Sequence, residues 1–112
     1  MPARRLGDRH DQVEIFSRQV EAEYDVSLTW SYSPRDEWQG HPRALATLTA
    51  QPLAWSDLPM GRWVLSLEII QTPTGAREVA AHLAAVSKLM VDLQMARSYG
   101  TSECEHFVPL VR

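Results

Sequence analysis

The sequence predicts an α+β domain of order α-β-β-β-α, an antiparallel meander sheet packed against helices, with a possible C-terminal edge strand. Three observations carry this. Apolar residues recur every three to four positions near both ends of the chain, the period of an amphipathic helix. Between them the period drops to two, the period of a strand with one buried and one wet face. Proline and glycine fall at the changes of period, and the short connections they leave favour a meander.

The first helix is expected over Asp11 to Tyr24. Asp11 and Glu14 form an acidic capping box, and Val13, Phe16, Val20 and Tyr24 make one apolar stripe. Residues 1–10 then read as a flexible N-terminus. Val26, Leu28, Trp30 and Tyr32 alternate with Ser27, Thr29, Ser31 and Ser33, the clearest strand in the chain. Pro34-Arg35-Asp36 ends it, and residues 34–42 are expected to form a loop. Residues 44–51 alternate without choosing an inner face. Their threonines and Pro52 favour strand over helix. Arg62 to Gln71 is the third strand, with Trp63, Leu65, Leu67 and Ile69 on one side. Thr72 and Pro73 suit the N-cap and first position of a long second helix, and Gly100 suits its C-terminal stop. Its expected stripe is Val79, Leu83, Val86, Met90 and Leu93. Residues 101–112 form a tail in which Phe107 to Val111 can add an edge strand, because Pro109 is tolerated there.

At 112 residues the chain fits a single domain, 1–112. Its net charge of −3 lacks the basic surplus with which proteins displace counterions from phosphates, which argues against a nucleic-acid partner. One cysteine allows no intrachain disulfide. No apolar run reaches the ~20 residues of a membrane span, and Met1 to Gly7 lacks the apolar stretch of a signal peptide. The expected compartment is the cytoplasm, with no membrane association. Lys88 is the only lysine among eleven basic residues, a bias that suggests a GC-rich bacterial or phage genome.

The order α-β-β-β-α is similar in topology to double-stranded RNA-binding domains. Those domains place lysines at the start of their second helix, whereas the stretch from Thr74 to His82 offers only Arg77 beside Glu78. Residues 72–83, Thr-Pro-Thr-Gly-Ala-Arg-Glu-Val-Ala-Ala-His-Leu, resemble the closing helix of small actinobacterial proteins of unknown function. That resemblance implies no activity.

Glu103-Cys104-Glu105-His106 is the only cluster of metal-ligand types, and two strong ligands do not close a zinc site. Without a second subunit or a distant histidine it reads as a free thiol on a polar tail. Asp8-Arg9-His10-Asp11 suits a helix start, and His82 pairs with Glu78 one turn away. No phosphate loop, nucleophile elbow or HExxH pattern is present, so no catalytic residue, metal site or cofactor is assigned. The loop aromatics Trp38 and Trp55, with Leu53, Leu58 and Met60, either fold back as a lid or form a contact patch for a protein partner. The second helix is more apolar than one stripe requires. Leu89, Val91 and Met95 are therefore the expected face of a two-fold homodimer. The expected function is a small non-enzymatic protein–protein interaction module, of the kind phages and mobile elements carry as accessory proteins. The alternatives are a ligand-binding or enzymatic domain with a pocket between sheet and helix, and a nucleic-acid-associated regulator.

Overall fold

The computed structural model describes residues 4–100 and 104–110, with side chains from Asp11 onward. The elements run α1 (Arg4–Tyr24), β1 (Val26–Trp38), β2 (His41–Pro52), β3 (Gly61–Ile70), α2 (Ala76–Tyr99) and β4 (Phe107–Pro109). The four strands form one open antiparallel sheet in the order β1-β2-β3-β4, and both helices cover the same face of it. The expected α+β meander is present, closed at its edge by the tail strand.

Period two sets the inner face. Val26 and Leu28 on β1, Ala46, Leu48 and Ala50 on β2, and Trp63, Leu65 and Ile69 on β3 turn toward the helices. The undecided strand thus buries its alanine face. Val86, Leu89 and Leu93 of α2 pack over the sheet with no exposure. The opposite sheet face carries Ser27, Thr29, Ser31, Thr47, Thr49 and Ser66, with Thr47 and Ser66 hydrogen-bonded across strands at 3.1 Å. It is the wet face.

Five expectations are corrected. α1 begins at Arg4, so residues 4–10 belong to the helix and Asp11 with Glu14 caps nothing; residues 1–3 lie outside the described chain. The expected loop 34–42 is strand on both sides of a tight turn. Gln39 and Gly40 have φ of 50° and 78°, the positive pair that a type I′ hairpin turn needs. Pro34 did not stop β1 because β1 is an edge strand, where a missing N–H goes unused. α2 begins at Ala76 behind Gly75, not at Thr72 and Pro73, because Thr72 to Gly75 close a turn of their own. Glu78 reaches back to accept from the Thr72 N–H at 2.6 Å. Finally, the buried stripe of α2 is Val79, Val86, Leu89, Leu93 and Ala96. Leu83 and Met90 are only half-buried. A helix apolar on two sides has no single face for periodicity to find.

α2 is also, by length and composition, apolar enough to cross a membrane, but its buried residues are spent on the sheet of its own chain. A clasp ties its last turns to α1. The Tyr24 hydroxyl donates to Gln94 at 2.7 Å, and the Arg97 guanidinium stacks 4.3 Å over the Tyr24 ring while donating to the Glu23 carbonyl.

Burial on α2 predicts two contrasting outcomes. Leu89→Ala should lower the unfolding free energy by about 2–4 kcal/mol, as deletion of a fully packed leucine does. Val91→Ala, on the exposed side, should change it by less than about 0.5 kcal/mol. Urea titration of both variants decides whether α2 sits in this rotation.

Candidate functional site

The sequence-predicted contact residues separate into three places. Trp38 flanks the β1–β2 turn, while Leu53, Trp55, Leu58 and Met60 lie in the β2–β3 loop at the other end of the sheet. Twelve residues of β1 lie between them, about 40 Å at ~3.3 Å per residue, so these aromatics do not share a surface. Leu58 is removed from the patch altogether: it is buried in the core and works as the lid. The loop is held to the α1–β1 junction by three bonds. Leu53 N–H donates to Asp25 O at 2.9 Å, Ser56 Oγ to Tyr24 O at 3.0 Å, and the Trp55 indole to Asp25 Oδ1 at 3.1 Å.

Leu53 and Met60 do meet a partner that sequence reasoning missed. Val108 and Leu110 of the tail come beside them, and the four line an open groove of about 560 Å³ with Arg62 at its rim. Gly61 makes this approach possible. A Cβ there would stand 2.5 Å from Val108 O and 2.6 Å from the Phe107 ring. Only the glycine between two breakers hinted at this in the sequence.

On α2, Leu89 leaves the candidate dimer face because it lies in the chain's own core. Val91 and Met95 are exposed, as expected, and Tyr99 continues their ridge at 76% exposure.

A second cavity, about 440 Å³, opens between α1 and α2 over β1. Leu28 and Trp30 form its floor, and Glu14, Arg18, Glu21 and His82 stand around it. Its polar groups are mostly committed. Arg18 pairs with Glu14 at 2.7 Å, and Glu21 accepts from the Leu28 N–H at 2.8 Å. His82 Nδ1 faces the Glu78 carbonyl, which can only accept, so that nitrogen carries the proton. Its Nε2 therefore accepts from the Tyr32 hydroxyl at 2.8 Å. The imidazole lies 4.4 Å from the Trp30 ring. Both ring nitrogens are hydrogen-bonded within the chain. Trp30 Nε1 is buried with no hydrogen-bond partner.

The tail cluster is a latch. Asp92 of α2 accepts from His106 twice, from the ring Nδ1 at 2.7 Å and the backbone N–H at 3.3 Å, and Cys104 Sγ donates to the Asp92 carbonyl at 3.4 Å. Cys104 is half-buried against the core, not free on a solvated tail. Burial and the neighbouring Asp92 charge push its thiol up from the ordinary value, only partly offset by the Trp63 indole, so it stays protonated near neutral pH. A protonated, packed thiol is a poor nucleophile. No three metal-ligand side chains converge among the described residues; Glu103 lies outside them.

No protein-family model, curated protein or solved structure matches this chain. The site must therefore be read from its own geometry.

The latch makes a pH-dependent prediction. Above the ordinary thiol value near 9, the unfolded chain gives up the Cys104 proton while the folded chain keeps it. Stability falls as pH rises from there through the raised folded value. Burial raises Tyr24 and Tyr32 too, so the fall continues above 10. Wild type should exceed Cys104→Ser in stability near neutral pH, and the gap should narrow as pH rises above about 9. Equilibrium unfolding at several pH values measures it.

Proposed function

We propose that this protein is a small, non-enzymatic protein–protein interaction module that acts as a homodimer. What supports the reading is the β1–β2 arm. From Ser31 to Gly40 every residue is exposed, although the segment is regular strand and tight turn and carries Tyr32 and Trp38. The radius of gyration, 15.5 Å, exceeds the roughly 13 Å of a compact chain of this length, as a projecting arm requires. Residues 31–35 are backed by β2 and β3, and only the tip from Asp36 to His41 runs on as a two-stranded ribbon, which is marginal in water. A second chain that pairs with the arm completes it. The groove of Leu53, Met60, Val108 and Leu110, at the opposite end of the sheet, then remains free for a different protein partner. The occupied nitrogens of His82 and the raised thiol of Cys104 fit a role in which no bond is made or broken.

Light scattering on the full chain tests the reading. A mass near twice the 12.7 kDa of one chain is expected at micromolar concentration. A mass that stays at one chain up to millimolar concentration would end the homodimer reading. Met60→Glu with Leu110→Glu should leave both the dimer mass and the stability, within about 1 kcal/mol, unchanged.

One observation favours a second reading, a ligand-binding domain. Trp30, whose buried indole N–H has no hydrogen-bond partner, lines the 440 Å³ cavity between the helices, and a ligand that entered there with a small shift of the ring would give the N–H an acceptor. If the N–H is an orphan with no ligand, Trp30→Phe should be neutral or stabilising by up to about 1 kcal/mol. If a small molecule co-purifies with the wild type, the same variant should lose it.

A further inference from the structure

We infer that the homodimer forms by antiparallel pairing of β1 with β1 of a second copy, with the two-fold axis at Ser31. The inference rests on the homodimer reading above and names its surface.

Leu53 N–H bonds Asp25 O, so the odd-numbered residues of β1 turn toward β2. The even-numbered ones, Val26, Leu28, Trp30, Tyr32 and Pro34, turn to the free edge. Leu28 N–H fits this parity, because it points away from β2 to the Glu21 carboxylate. Pro34 has no N–H, and Val26 is buried at the start of the strand. Between them the N–H and C=O groups of Trp30 and Tyr32 have no partner among the described residues.

The other edge of the sheet offers nothing comparable. On β4, Val64 N–H bonds His106 O and Leu110 N–H bonds Met60 O, so Phe107 and Pro109 face outward. The Phe107 N–H is taken by the Cys104 carbonyl at 3.2 Å, and Pro109 has none. β4 is closed to an added strand and β1 is open over one short stretch.

That stretch is complementary to itself. With Ser31 on the axis, Trp30 faces Tyr32 of the second copy and Tyr32 faces its Trp30. Four backbone hydrogen bonds form. The same register sets Pro34 against Leu28, whose N–H is already bound to Glu21, so no N–H is stranded. Residues 28–34 carry no charge, so no like charges meet within this stretch, while beyond it Glu37 comes opposite Asp25 of the second copy. Trp30 and Tyr32 already stack within one chain, with centroids 6.3 Å apart, and pairing adds the second copy's rings beside them. The result is one continuous eight-stranded sheet in which the open stretch of each β1 edge is paired with the other chain.

The register has a sharp consequence. Ser31 faces Ser31 of the second copy in a non-hydrogen-bonded pair, where Cα atoms stand about 4.5 Å apart, within disulfide reach. Ser33 faces Thr29, and the two Ser33 residues stand four steps apart along the strands, about 13 Å, beyond reach. Ser31→Cys and Ser33→Cys are each made in a Cys104→Ser background, purified and mildly oxidised, then run on a non-reducing gel. Ser31→Cys should convert most of the protein to covalent dimer, and Ser33→Cys should give at least tenfold less. Hydrogen exchange on the wild type is the second measurement. The Trp30 and Tyr32 amides should be protected at high concentration and lose at least tenfold protection on dilution to monomer. A monomeric wild type in light scattering would overturn the homodimer reading and this inference together. A dimeric wild type with fast-exchanging Trp30 and Tyr32 amides, or with equal cross-linking of both cysteine variants, would overturn the β1 edge alone. If Val91→Glu with Met95→Glu then gave monomer, the interface would be the exposed ridge of α2.

Discussion

Val86, Leu89 and Leu93 of α2 pack into one core with Leu48 and Ala50 of β2 and Trp63 and Leu65 of β3, and the molecule is organised around that contact. These side chains are buried or nearly so and make full contact. The rotation of α2 follows, and with it the separation of buried Leu89 from exposed Val91 and Met95. The position of Asp92 on the flank follows too, where it meets the returning tail. α1 is added through the Tyr24, Gln94 and Arg97 clasp, and with a narrower apolar stripe it leaves a cavity beside α2.

The two sheet edges are handled differently. β4 is three residues long, has its outward N–H taken by a turn and ends in proline, which are the ordinary defences of an edge. β1 is blocked at Leu28 by Glu21 and at Pro34 by the ring, but not between. Its arm then runs on past α2, which it last touches where the Tyr32 hydroxyl meets His82 at 2.8 Å. The tail meanwhile does two jobs from one short segment. His106 and Cys104 latch it to α2, and Val108 and Leu110 build the groove with Leu53 and Met60.

The sequence by itself determined the elements and their kind. Alternation over Val26 to Tyr32 and Trp63 to Ile69, and the three-four spacing of Phe16, Val20 and Tyr24, follow from local backbone geometry, which a short window contains. It also determined that α2 is richer in apolar residues than one face can use, and that a tail strand with Pro109 belongs at an edge. Tertiary structure alone decided the rest. Whether Pro34 ends a strand depends on whether a neighbour needs its N–H, and that is a fact about sheet order. Whether Leu58 is lid and Met60 surface depends on where the loop crosses the core. Which side of α2 is inner depends on where Trp63 and Leu65 of β3 and Leu48 of β2 meet it. Long-range packing chose among options that local periodicity left equal, and it gathered Val108 and Leu110 beside Leu53 and Met60 because the tail returns along β3, a pairing that no window of the sequence spans.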